Sequence, residues 1–68
     1  MKTEDNTTDI IDYDSETHQI IKIGSKWELQ GKYRGRTYFI SRSIYRTPLY
    51  ALLNQIRVRN GREPVTNN

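Results

Sequence analysis

Eight residues carry most of the chemical potential of this chain: Lys22, Lys26, Lys32, Arg34, Arg36 and Arg42, interleaved with Tyr33 and Tyr38. Cations at this density neutralise phosphates, and tyrosine rings among them stack on bases or pack along a sugar backbone. The competing reading is a solvated sheet surface, charged to keep the protein in solution and to block edge pairing. Groups suited to bond-making chemistry are scarce. The single histidine, His18, falls in a predicted turn and reads as a solvated turn residue. One His and no Cys cannot build the usual zinc sites. Asp9, Asp12, Asp14 and Glu16 are spaced loosely like a cation loop, but the central glycine and the bidentate closing Glu of a calcium hand are missing. They read as a solvated acidic stretch. Ser25, Ser41 and Ser43 have no His or Lys in a triad-like arrangement, and Gly24-Ser25-Lys26 and Gly31-Lys32 lack the phosphate-loop pattern. The expectation is a non-catalytic binding module with no cofactor and no metal.

The charge is laid out unevenly. Residues 1–19 hold six acids against one base, whereas residues 20–63 hold ten bases against two acids. The net charge of +3 therefore hides two blocks of opposite sign. Such asymmetry points to a charged partner, or to a tail that folds back on its own body. With 68 residues the chain makes one domain, whose stability must come from one compact core. No disulfide is available, the first residues lack the apolar run of a signal peptide, and no stretch approaches the roughly 18 apolar residues of a membrane span. The expected setting is the cytoplasm. Residues 1–9 and 61–68 contain almost nothing that could be buried and read as tails, one of them acidic, which leaves a folding unit over residues 10–60.

The elements that must position the basic and aromatic cluster follow from periodicity. Ile10–Tyr13 and Gln19–Ile23 flank Asp14-Ser15-Glu16-Thr17-His18, a segment whose Asp and Ser side chains can bond their own backbone, so a hairpin is expected. Lys26–Gln30 alternates with period two, Gly31–Gly35 reads as a glycine-bounded loop, and Arg36–Arg42 is an aromatic and β-branched strand. The period then changes. Leu49, Leu52, Leu53 and Ile56 form one helical stripe, with Thr47 as N-cap, Pro48 at the first helical position and Asn60-Gly61 as the stop. Arg57 and Arg59 sit in the last turn, where the helix dipole favours cations.

These elements predict an α+β fold, a small antiparallel sheet of three to four strands packed on one C-terminal helix. Joining Ile23 to Trp27 across a three-residue turn, and Gln30 to Arg36 across five residues, places Ile21, Ile23, Trp27, Leu29, Thr37 and Phe39 on the helix side. The other face would then carry Lys22, Glu28, Gln30, Arg36, Tyr38 and Arg42, with Ile20 and Ile40 among them. A one-residue slip exchanges Phe39 for Tyr38 and Ile40. Trp27 reads as core.

Trp27-Glu28-Leu29, Tyr33-Arg34-Gly35-Arg36, Tyr38-Phe39-Ile40 and Thr47-Pro48-Leu49-Tyr50-Ala51-Leu52 follow one another in an order that resembles the three-stranded-sheet-plus-helix DNA-binding domains of the AP2 and integrase-arm type. The resemblance implies that an exposed sheet enters the major groove, with Lys26, Arg34, Arg36 and Arg42 at the matching positions. The Ser41–Arg46 linker departs from that family's Gly-Thr-Phe link. The chain also resembles small uncharacterised phage and prophage proteins that pair an aromatic hairpin with a short helix ending in Leu-Leu-Asn, here Leu52-Leu53-Asn54. That likeness implies an accessory factor, or an inhibitor of host machinery or defence, acting in the host cytoplasm. Two partner classes follow: DNA or RNA on the basic sheet face, or a host or defence protein. The second would be met by an acidic N-terminal mimic of nucleic acid or by Ile20, Tyr38 and Ile40. A homodimer sealed through an open sheet edge is a third expectation; no membrane partner is expected.

Overall fold

A computed structural model describes residues 10–65. The chain runs β1 (Ile10–Asp14), β2 (His18–Ile23), β3 (Lys26–Tyr33), β4 (Arg36–Ser43) and α1 (Thr47–Arg59). The four strands form one antiparallel meander in the order β1-β2-β3-β4, and the helix covers one face, so the expected α+β architecture is the observed one. The tails expected over residues 1–9 and 66–68 lie outside the described residues. The described part of the expected C-terminal tail returns to the helix: Asn54 Nδ2 donates to Val65 O at 3.1 Å, Val65 N donates to Asn54 Oδ1 at 2.7 Å, and Val65 packs on the core.

Ile20, Leu29, Leu49 and Leu53 are fully buried and Tyr50 nearly so, with Tyr13, Trp27, Ile40 and Leu52 packed around them. Each aliphatic side chain buried in this way contributes about 1.5–3 kcal/mol. Leu49 and Leu53 come from the helical stripe read in the sequence; Tyr50 joins it through a bulge in β1, where the register shifts between Ile11 and Tyr13. The extra residue, Asp12, accepts a 2.6 Å hydrogen bond from Tyr50 Oη and bonds at 3.1 and 3.3 Å from Arg46 Nη1. This tie fastens the first strand to the start of the helix.

The strand pairing differs by one step from the expected one. Ile23 pairs with Lys26, so the β2–β3 turn has two residues, Gly24 and Ser25, with Gly24 at φ 63°. Strand β3 runs through Gly31 to Tyr33, and only Arg34-Gly35 turns, both at positive φ (52° and 76°). Two positive-φ residues are what a type I′ hairpin requires, because its twist matches that of the flanking strands. Shifting register by one residue sends every side chain to the opposite face. Ile20 pairs with Leu29 on the helix side, while Ile21, paired with Glu28, is on the open side with Ile23. A second bulge, between Ser41 and Phe39, brings Ile40 to the core and leaves Phe39 opposite Gln30 on the open side, 59% exposed.

Helix termini follow local chemistry. Arg46, not Thr47, is the N-cap and makes no side-chain cap bond; its carbonyl accepts from Leu49 N and Tyr50 N, and Pro48 lies in the first turn where no intrahelical donor is needed. The C-terminus closes as read in the sequence. Gly61 at φ 78° donates to Val58 O and Arg62 N donates to Arg57 O, the paired bonds of a Schellman stop.

Candidate nucleic-acid interface

The β3–β4 hairpin decides where the eight basic and aromatic residues stand. Tyr33 faces Arg36 and Gly31 faces Tyr38, placing Tyr33, Arg36 and Tyr38 on the helix side of the sheet but past the helix's cover. Tyr33 and Tyr38 are 65% and 52% exposed. Tyr38 lies over Gly31, in the space where a side chain at residue 31 would stand. Glycine is thus required in the strand for close approach of the ring, which is why a position read as loop belongs to β3. Arg34, at the turn, holds its guanidinium 5.3 Å from the Tyr33 ring centroid. Glu16, Lys32, Tyr33, Arg34, Gly35, Arg36 and Thr37 together line a cleft of about 300 Å3.

The remaining members do not join that cluster as free cations. Lys32 Nζ is ion-paired with Asp14 and donates to Ser15 O at 2.8 Å. Arg42 donates to Glu28 Oε1 through Nε (3.1 Å) and Nη2 (3.0 Å), and its guanidinium lies 5.5 Å from the Phe39 ring. Glu28, buried at 7% exposure, also accepts from Gln30 Nε2 at 2.8 Å; Gln30 in turn accepts from Gln19 Nε2 at 2.6 Å. This ladder runs across three strands of the open face and accounts for Arg42 structurally. Lys22 lies on the helix side, 5.6 Å from the Trp27 ring, which Arg46 also approaches at 5.6 Å. Lys26 is exposed at the other end of the hairpin from Arg34.

The expected single basic face carrying Lys22, Arg36, Tyr38 and Arg42 together is therefore corrected. Lys26, Lys32 and Arg42 belong to the open face, and Lys22, Tyr33, Arg36 and Tyr38 to the helix side. The physical cause is the pair of two-residue turns and the bulge at Ile40. Of Ile20 and Ile40, expected as exposed contact residues, Ile20 is core and Ile40 is partly buried against it. Among the described residues, no acid lies within ion-pair distance of Arg34 or Arg36.

His18 is also placed differently from its sequence reading. It opens β2, half-buried, with Nδ1 2.9 Å from Thr17 Oγ1. Burial, then the charges of Arg57 and Arg62, pull its pKa below the ordinary imidazole value. The preceding turn is built as its composition implies: Ser15 Oγ accepts from His18 N at 3.1 Å and Thr17 N at 3.3 Å. Of the acidic run, Asp12 and Asp14 are engaged by Arg46 and Lys32, and Asp9 lies outside the described residues. No group of three or more potential metal ligands occurs among the described residues, and no helix there is long and apolar enough to cross a membrane. No protein-family model matches the chain, and comparisons with curated proteins and with solved structures give no match.

Proposed function

We propose that this chain is a small non-catalytic nucleic-acid-binding protein that engages its ligand through the tip of the β3–β4 hairpin. The observation that carries the reading is local. Arg34 and Arg36 stand beside two half-exposed tyrosine rings with no ion-pair partner among the described residues, whereas Lys32, Arg42 and Arg46 are each tied to a carboxylate. The guanidinium groups bond phosphate oxygens, and Tyr33 and Tyr38 supply stacking platforms worth about 1–3 kcal/mol per base. This narrows the interface from a whole sheet face to one hairpin, and favours an unpaired strand, whose bases are free to stack. The likeness to phage and prophage accessory proteins suggests the biological setting, and the likeness to sheet-based DNA readers suggests duplex DNA as the second ligand to test.

The direct test is a titration of labelled single-stranded and duplex oligonucleotides with the full chain. Wild type should bind, Arg36→Glu should abolish binding, and Lys32→Gln should change it little. Binding that survives Arg36→Glu refutes the hairpin reading. A protein-binding inhibitor is the second reading, favoured by the open face, where Ile11 stands directly across from Ile21, and Ile23 and Phe39 are exposed. Absence of any nucleic-acid binding, with capture of a host or defence protein lost in Phe39→Lys, would put that reading first.

A further inference from the structure

On the far side of the β1–β2 turn lies a second cleft, of about 290 Å3, lined by Thr17, His18, Ile56, Arg57, Asn60 and Arg62. Two guanidinium groups, those of Arg57 and Arg62, face a half-buried imidazole there. Arg57 is fixed in place: its Nε donates to Glu63 O at 2.7 Å and its Nη1 donates to Tyr13 Oη at 3.2 Å. Both acceptors are neutral, so the charge of Arg57 is positioned but not cancelled. Among the described residues, the side chain of Arg62 has no ion-pair partner, and no hydrogen bond uses His18 Nε2. The helix dipole opposes an anion here, with about half a negative charge at this terminus. Two full positive charges outweigh it, and the carbonyls of Ile56, Arg57 and Val58 are already occupied by the N–H groups of Asn60, Gly61 and Arg62.

We propose that the cleft formed by Thr17, His18, Arg57, Asn60 and Arg62 is a phosphate-binding site separate from the hairpin tip. Arg57 and Arg62 supply the charge, Thr17 Oγ1 and the Asn60 amide supply neutral donors, and His18 becomes a further donor once protonated. Without an anion, the groups facing His18 are Arg57 from the helix and Arg62 from the segment after it. Both oppose its protonation, in addition to its burial. A bound phosphate reverses the local field, so protonation of His18 and occupancy of the site must strengthen each other.

The test follows the His18 ring by NMR across pH, using the full chain in inorganic phosphate and in chloride at matched ionic strength. The expected result is saturable binding with an upward shift of the His18 titration midpoint in phosphate. Arg62→Gln, which keeps the capping backbone N–H, should weaken that binding about tenfold or more, the loss of a charge-assisted bond. His18→Gln should leave binding at alkaline pH intact and remove its strengthening on the acid side. The source of the phosphate is separated by comparing one short DNA strand with and without a 5′-phosphate. A gain from the 5′-phosphate that Arg62→Gln abolishes assigns the site to a nucleic-acid end. Binding of inorganic phosphate with no such gain assigns it to the free ion. His18 titrating identically in both salts, or Arg62→Gln behaving as wild type, overturns the proposal. Arg34→Gln/Arg36→Gln should leave the inorganic-phosphate binding and the His18 titration unchanged while weakening the DNA strand with or without its 5′-phosphate, so failure at the hairpin and failure here are distinguishable.

Discussion

Replacing Arg34 and Arg36 together with Gln should flatten the salt dependence of nucleic-acid binding by an amount the ion pairs determine. Each phosphate neutralised on duplex DNA adds about 0.9 to the slope of log K against log salt. The six basic residues singled out in the sequence would together give a slope near −5, a loss of roughly 1,000-fold in affinity between about 50 and 200 mM salt. In the fold, Lys32 and Arg42 are bound to Asp14 and Glu28, Lys22 lies over Trp27, and Lys26 is at the opposite end of the hairpin. Two cations remain at the tip, which gives a slope of about −1.8 and a loss of only about 12-fold over the same range. On a single strand, where each contact adds about 0.7, the slope should be near −1.4. Fluorescence anisotropy at four or more salt concentrations measures these slopes directly. The double variant should lose the hairpin's whole contribution while keeping the wild-type circular dichroism spectrum. A variant slope equal to that of wild type would refute the assignment of binding to the tip. A wild-type slope near about −3.6 would show that Lys32 and Arg42 leave their carboxylates for phosphate.

Four other outcomes can be measured on the same material. Glu16 places an acid in the cleft with Arg34 and Arg36, so Glu16→Gln should tighten DNA binding several-fold at low salt, an effect that fades as salt screens it. Tyr50→Phe removes the hydroxyl that holds Asp12 and should cost about 1–2 kcal/mol in urea unfolding. Burial and the Asp12 carboxylate raise the Tyr50 pKa, so the stability from this hydroxyl is complete below the unfolded tyrosine value of about 10 and falls as pH rises above it. Tyr50→Phe should lose that part of the alkaline slope. His18 has a lowered pKa, so its contribution runs the other way. Stability is complete above the unfolded imidazole value of about 6.5 and declines as pH falls toward the depressed folded value, a decline His18→Gln should abolish in thermal melts. Glu28→Ala strands the Gln30 amide and frees Arg42, whose side chain is half exposed and re-solvates; a loss of about 1–3 kcal/mol is expected in urea titration.

The helix and its stop were legible because several local signals coincide there. The Leu49–Leu53 stripe, Pro48 in the first turn and Gly61 at positive φ each act within a few residues. Strand existence was also legible, including a hairpin at Ser15, since alternation and turn chemistry are local as well. The faces were not, because they depend on the parity of turns and bulges. Glycine at 24 suited either a two- or a three-residue turn. Gly31 looked like the start of a loop, although the alternation Trp27, Leu29, Gly31, Tyr33 continues straight through it. The extra residues at Asp12 and Ile40 leave no mark in the sequence at all, since a bulge reflects what the partner strand and the helix demand. At the site, the residue types at Tyr33, Arg34, Arg36 and Tyr38 could be singled out, but their isolation from the other cations could not. That isolation comes from Asp14 and Glu28 meeting Lys32 and Arg42 across strands.

Those pairings change the meaning of the uneven charge along the chain. Asp12 and Asp14 from the acidic block, and Glu28 from the basic one, each neutralise a base that lies 14 to 34 residues away in sequence. Cancellation is concentrated on the open face and at the helix start. Among the bases without an ion-pair partner in the described residues, which also include Lys22, Lys26 and Arg59, two pairs of arginines share a cleft. One pair is Arg34 and Arg36 at the hairpin tip; the other is Arg57 and Arg62. Glu16 lines the first and Thr17, its neighbour, lines the second, while Thr17 O accepts from Lys32 N to bind the turn to β3. Both positive sites therefore border the adjacent residues Glu16 and Thr17 at the same end of the sheet. If the tip binds a polyanion as proposed, the neighbouring cleft stands where it would meet a further phosphate of the same strand without the entropy of a separate encounter, so Arg62→Gln should weaken a longer strand more than a short one in the same titration.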